Sequence, residues 1–215
     1  MLLKIINWLP IHVFIAALFF YTISADSEEI KQSDIKKIDI KPFEAELFKL
    51  PDSYTDKLKD YRKKWTRLTG FEYSQLHWDH FMVVYINQNP EIYRNNNLYY
   101  MRQWSDDLDD DTEIESSVSG FQKYPVNTVV LKENFTVKEG IPDSASLLTF
   151  MVKRADGYDP DYGNWEYIQS TPDGRITFRG NSNDVLVKQA CISCHVNIKE
   201  RDYIFSNVFT GRALE

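Results

Sequence analysis

The chain of 215 residues contains only two cysteines, too few for a disulfide framework or a thiolate-rich zinc cluster. Methionine is scarce, and none of the four lies beyond residue 151. Histidine occurs four times, at positions 12, 77, 80 and 195, so few imidazoles are free for any metal. Positive charge is in deficit: 25 Lys and Arg against 32 Asp and Glu give a net charge of −7. That balance argues against a nucleic acid or an anionic membrane surface as partner. Internal repeats are absent too. Aromatic residues are the one plentiful class, with 13 Tyr, 13 Phe and 5 Trp to fill a core or line a pocket.

Both cysteines fall inside Cys191-Ile192-Ser193-Cys194-His195. Two thiols three residues apart can add to the two vinyl groups of one porphyrin, and the imidazole that follows then lies under the iron. Three other uses fit less well. A thioredoxin-type pair needs a βαβ context, and only 20 residues follow His195. Zinc needs a fourth ligand, and adjacent Cys194 and His195 cannot easily occupy two corners of one tetrahedron. A disulfide across a two-residue spacer closes a small, strained loop with little gain in stability. The motif therefore reads as the site of one covalently attached haem c, held by Cys191 and Cys194, with His195 as proximal ligand to the iron.

The N-terminus agrees with export. Lys4 precedes an apolar run over 11–21, and Ile23-Ser24-Ala25 ends in a small residue just before acidic Asp26-Ser27-Glu28-Glu29. This is the layout of a signal peptide over 1–25. An uncleaved anchor is the alternative, since 5–25 is about the length that spans a bilayer. Haem c is joined to protein after export, so the expected compartment is a bacterial periplasm. Residues 26–50 alternate lysines with carboxylates without periodicity and read as a charged linker, which leaves 51–215 as a single haem domain.

Within that domain, Pro51-Asp52-Ser53 opens a helix whose stripe is Tyr54, Leu58, Tyr61, Trp65 and Leu68, closed by Gly70. Residues 81–86 read as a strand, and Pro90 as the first turn of a helix towards Tyr100. Seven carboxylates make 106–115 a solvated acidic loop without the glycine or ligand order of an EF-hand. Strands follow at 126–135, 147–153, 165–170 and 175–179, the last two joined by the turn Thr171-Pro172-Asp173-Gly174. Asn181 or Asn183 is the expected cap of a short helix carrying Val185, Leu186 and Ala190 into the haem motif. The fold class is α+β: an antiparallel sheet with flanking helices and the haem motif at the carboxyl end.

A late motif with no methionine after His195 departs from the small electron carriers, in which a methionine ligand follows the motif. Met82, Met101 and Met151 read as core residues. With His12 in the signal segment, only His77 and His80 remain as sixth ligands, and their spacing puts both on one helical face, where packing or capping explains them. The default is a five-coordinate iron with an open distal side, suited to ligand binding or chemistry.

Two haem families carry the motif late. The strand-rich middle departs from the four-helix cytochrome c-prime. The other family fits. Tyr124-Pro125-Val126-Asn127-Thr128-Val129-Val130-Leu131-Lys132-Glu133, Phe150-Met151-Val152-Lys153 with Gly163-Asn164-Trp165-Glu166-Tyr167, and the haem motif with Asp202-Tyr203-Ile204-Phe205 resemble the cytochrome P-460 family and its relative cytochrome c-prime-beta. Val84-Tyr85-Ile86-Asn87 adds a weaker upstream block.

The resemblance to cytochrome P-460 implies that Lys132 forms a covalent cross-link to a haem meso carbon and that the protein oxidises hydroxylamine. The resemblance to cytochrome c-prime-beta implies an uncross-linked haem that binds nitric oxide or carbon monoxide under a phenylalanine, for which Phe81, Phe135 and Phe150 are the choices. By strand period, Lys132 shares a face with Val126, Thr128 and Val130, while Val129, Leu131, Glu133 and Phe135 share the other. Both faces being apolar, the strand is covered on both sides; the competing reading is an edge-strand lysine in water. Asn127 replaces a glycine of the family pattern but tolerates the same turn. No carboxylate lies on the strand of Thr149, and a hydroxyl is a poor base. The expected partners are hydroxylamine, nitric oxide or carbon monoxide, a soluble electron-transfer protein, and, by the resemblance, a second copy in a homodimer. A low-spin electron carrier would require His77 or His80 on the iron.

Overall fold

The computed structural model describes residues 47–106 and 120–205. The expected signal segment, residues 26–46 of the linker, 107–115 of the acidic loop and the last ten residues lie outside the described residues. Among the described residues, no helix is long and apolar enough to cross a membrane.

β-branched and aromatic runs build one antiparallel sheet: β1 (Thr66–Arg67), β2 (Glu72–Ser74), β3 (His80–Ile86), β4 (Val129–Lys138), β5 (Ile141–Lys153), β6 (Trp165–Ser170) and β7 (Ile176–Gly180). The order is β1-β3-β4-β5-β6-β7, with β2 also on β3. The expected α+β class is observed. β4 is central, so Lys132 is not an edge residue. It pairs with Val84 on β3 and Thr149 on β5.

Alternation along β4 sorts the core into two layers. Val129, Leu131 and Phe135 face a cluster with Val83, Tyr85, Leu148, Phe150 and Ile168, closed over by Phe48, Tyr54, Leu58 and Tyr61. Glu133 lies on that face and is buried because Tyr61 Oη and Arg62 Nε (2.6 Å) both donate to its Oε1. Val130 faces the other way, into a cluster with Val84, Ile86, Met151, Trp165 and Tyr167. The two-residue period thus assigns the faces of 129–135 as expected. Val126 differs, because it precedes the strand and is exposed. Between Val126 and β4, Asn127 takes φ 69°, the left-handed turn that asparagine tolerates.

The helix expected over 51–70 is broken. Asp60 adopts φ 60° between α1 (Thr55–Leu58) and α2 (Tyr61–Lys64), and Trp65 is already extended. Tyr54, Leu58 and Tyr61 still share one core face, but Leu68 packs on the opposite cluster. The packed body also begins earlier than residue 51: Phe48 is buried with its ring 5.6 Å from Phe135, and Lys49 N–H donates to Pro172 O at 2.8 Å. α3 (Pro90–Asp106) opens on proline as expected, and it buries Ile92 and Tyr93 in the second cluster.

The motif is carried by α4 (Val185–Val187), a π-helical turn (Lys188–Ile192), α5 (Ser193–His195) and a 3-10 stretch (Val196–Arg201). The cap is Asp184, whose carboxylate accepts the Val187 N–H at 3.0 Å. Neither Asn181 nor Asn183 caps it; Asn181 Oδ1 instead accepts the Asn183 N–H at 3.1 Å within the preceding loop.

Beyond the 3-10 stretch the chain reverses through two left-handed residues, Asp202 (φ 52°) and Tyr203 (φ 66°). The Asp202 carboxylate holds Lys153 Nζ at 2.6 and 2.7 Å and the Tyr124 N–H at 2.8 Å, and its carbonyl accepts Trp165 Nε1 at 2.9 Å. The Tyr203 ring lies over Gly163, where a Cβ would come within 2.4 Å of it, and Gly163 itself has φ 72°. Asp202→Ala leaves a buried ammonium without its counter-charge. Denaturant unfolding of this variant is expected to show a loss of about 3–5 kcal/mol, and a loss below about 1 kcal/mol would contradict the clamp.

Candidate functional site

The motif segment and the second face of the sheet meet around a partly open cavity with two adjoining lobes. Val84, Val130, Lys132, Thr149, Met151 and Tyr167 form the sheet wall of one lobe, with Cys191 and His195 from the motif segment. Cys194 joins His195 in lining the other, and His77, Met82 and Lys132 line both. The structure therefore brings Cys191, Cys194, His195 and Lys132 into one site, although Lys132 is 59 residues or more from the motif in sequence.

His195 is oriented by the Asp202 turn. Its Nδ1 lies 2.6 Å from the carbonyl of Tyr203, an acceptor only, so Nδ1 carries the proton and Nε2 keeps its lone pair. The rings of Tyr167 and Phe205 flank it at 5.5 and 5.2 Å. Burial, and secondly the nearby lysine Lys132, hold its pKa down to about 4. Burial pushes the Cys191 thiol up to about 12, so it is a neutral thiol before any bond forms. Tyr167 has a buried hydroxyl with no hydrogen-bond partner among the described residues. Two thiols, an imidazole with a free lone pair, an apolar wall and a hydroxyl awaiting a polar partner fit a haem.

Lys132 is the unusual member. Its amine makes no hydrogen bond or ion pair among the described residues, and burial lowers its pKa to about 8. An unpaired amine in such a place is a competent nucleophile when neutral.

The phenylalanines expected over the iron are elsewhere. Phe81, Phe135 and Phe150 pack with the first cluster on the far side of the sheet, Phe150 against Tyr54 at 4.9 Å. Phe150 borders the cavity, but its ring belongs to the other face. The reason is parity: in strand register Phe81 pairs with Phe135, and Phe150 with Leu131, all residues of the first face. Met82 and Met151, read from sequence as core residues, are buried as expected and also line the cavity. Extending the alternation of β4 through its pairings, Met82 with Asn134 and Met151 with Val130, is the signal that finds them.

The two histidines separate. His80 lies on β3, with Nε2 2.7 Å from Ser146 Oγ and Nδ1 3.1 Å from His77 O, and it does not line the cavity. His77 ends a single 3-10 turn (Gln75–His77) and does line it. No carboxylate borders either lobe among the described residues.

Lys132 is a half-buried lysine lining the cavity, and desolvation there holds its folded pKa at about 8, below its ordinary 10.5. Below pH 8 both folded and unfolded chains carry the charge, and folding bears the full cost of burying it. Between pH 8 and 10.5 only the unfolded chain keeps the proton, so that cost declines as pH rises. Lys132→Met is therefore expected to stabilise the haem-free chain most below pH 8, with the gain shrinking towards pH 10.5. Denaturant midpoints at pH 7 and 10 check this, and a pH-independent gain would contradict it.

The model of the cytochrome P-460 family matches residues 90–206, a span that includes Lys132, Thr149 and the whole haem motif. No curated protein matches the chain.

Proposed function

Since the chain belongs to the cytochrome P-460 family, a family that implies a haem cofactor, we propose that it is an exported c-type cytochrome acting on a small nitrogen species, hydroxylamine or nitric oxide. The observation that carries this reading is the amine of Lys132, without a hydrogen-bond or ion-pair partner among the described residues, in the wall of the cavity that Cys191, Cys194 and His195 also line. Haem, when bound, supplies an iron that takes up the small ligand and exchanges electrons with it. Cys191 and Cys194 would hold the group as thioethers, and His195 would ligate the iron through Nε2. The Lys132 amine would be the group cross-linked to the porphyrin, an N–C bond replacing one N–H and one C–H with two electrons passed to an external oxidant. The cavity walls, apolar apart from a few groups, keep bulk water from the ligand. The cytochrome works in the periplasm, passes electrons to a soluble partner, and dimerises through its sheet rather than through cysteine.

A second reading has its own support. A cavity without carboxylates among the described residues, and lined by Met82 and Met151, suits reversible binding of nitric oxide or carbon monoxide.

Two measurements test these roles. A denaturing gel stained for haem peroxidase activity should show a band with protein made alongside haem-attachment machinery. Cys191→Ala with Cys194→Ala should abolish it, and an unstained wild type would end the haem c reading. The ferrous absorption spectrum then decides between the two functions. A cross-linked porphyrin absorbs far to the red, and Lys132→Ala should restore an ordinary c-type spectrum and abolish hydroxylamine oxidation while leaving haem attached. Identical spectra for wild type and Lys132→Ala would mean no cross-link and favour the gas binder.

A further inference from the structure

We propose that His77 is the hydrogen-bond acceptor of the ligand site: its Nε2 receives an N–H or O–H of a small molecule on the iron and so favours protic ligands such as hydroxylamine over carbon monoxide. The inference rests on the haem-binding reading above and concerns a residue outside the span matched by the family, 90–206.

The argument begins with Asn134. It follows Lys132 by two residues on β4 and so shares the cavity face. Its side-chain nitrogen donates to the carbonyl of Leu147 at 3.0 Å, to that of Lys132 at 3.2 Å and to Thr149 Oγ1 at 3.3 Å. Carbonyls only accept, so these contacts fix which end of the amide is nitrogen. The oxygen end is left for His77, whose Nδ1 lies 2.9 Å from Asn134 Oδ1. An amide oxygen cannot donate, so His77 Nδ1 carries the proton. Nε2 is then the bare nitrogen of a neutral ring, and no partner for it is present among the described residues. Burial and the neighbouring Lys132 hold the pKa of this imidazole well below its ordinary value, so the ring is neutral at pH 7.

Position agrees with tautomer. His77 is fastened to the sheet wall through Asn134, whereas His195 comes from the motif segment that packs against that wall. His77 and His195 thus line the same two lobes from different elements, His77 from the sheet side and His195 from the motif segment. Of the other ionisable groups lining the cavity, His195 is committed to iron and the cysteines to thioethers. Tyr167 keeps its proton, because burial raises its pKa. Lys132, whether charged or cross-linked, offers little as an acceptor at neutral pH. Among the described ionisable groups that line the cavity, His77 is thus the one left with a lone pair for the ligand, alongside the weaker hydroxyl acceptors of Thr149 and Tyr167.

The test uses haem-loaded protein in three forms: wild type, His77→Leu and His77→Gln. Hydroxylamine is titrated into the ferric protein with oxygen and electron acceptors excluded, and carbon monoxide into the ferrous protein, both followed by absorption. Loss of one hydrogen bond should weaken hydroxylamine binding about five- to tenfold in His77→Leu and leave carbon monoxide within about twofold. The amide oxygen of His77→Gln should recover most of the loss. Equal weakening of both ligands would mean that His77 only shapes the loop, and unchanged hydroxylamine affinity would mean that it touches no ligand; either overturns the proposal. A low-spin ferric wild type that turns high-spin in His77→Leu would also overturn it, since Nε2 would then be bound to the iron itself. Wild type that binds hydroxylamine in this manner yet fails to oxidise it when an electron acceptor is supplied would refute the enzyme reading and leave the role of His77 standing.

Discussion

The carboxylate of Asp202 links parts of the chain that otherwise meet only through packing. It accepts from Lys153 at the end of β5 and from the backbone N–H of Tyr124 ahead of β4, while the carbonyl of the same residue accepts the indole of Trp165 at the start of β6. Each partner belongs to a different segment, and all are buried. The next residue, Tyr203, presents its carbonyl to His195. The orientation of the His195 imidazole is therefore set by a turn anchored to the sheet.

Burying two opposite charges does not by itself favour folding, because both must leave water. Here burial raises the pKa of Asp202 and lowers that of Lys153, the direction desolvation imposes on each. What the pair supplies is geometry. Two consecutive left-handed residues, one of them a tyrosine, are held by the lysine and the indole on one side and by the flat surface of Gly163 on the other. Lys132 is the contrasting case: half-buried on the same sheet, with no ion-pair partner among the described residues.

What the sequence revealed depended on how local the responsible forces are. The period of two along 129–135 was legible because alternate residues meet chemically different layers, and it assigned Lys132 to one face and Glu133 to the other. The α+β class and the hairpin around Pro172 and Gly174 were legible for the same reason, since each rests on neighbours in sequence. The break at Asp60 was not, because the stripe of Tyr54, Leu58 and Tyr61 keeps its spacing on either side of a left-handed residue. Nor was the role of His77, which comes from a short turn ahead of β3 and acquires its place only through the contact with Asn134, 57 residues away. The phenylalanines failed on parity: choosing a ring for the cavity needs the register between strands, and a single strand read alone does not contain it.

The acceptor for His195 has a further consequence. Many metal-bound imidazoles donate to a carboxylate, which draws the proton away and makes the ring a stronger electron donor. Here the acceptor is a neutral backbone carbonyl. In the proposed haem site a ring so held would push less electron density onto iron, which would ease reduction and raise the potential. Because the acceptor is main chain, no single side-chain replacement can exchange it for a charged one. Tuning through this hydrogen bond would come from the shape of the turn at Asp202 and Tyr203, where a small change in backbone angle alters its geometry.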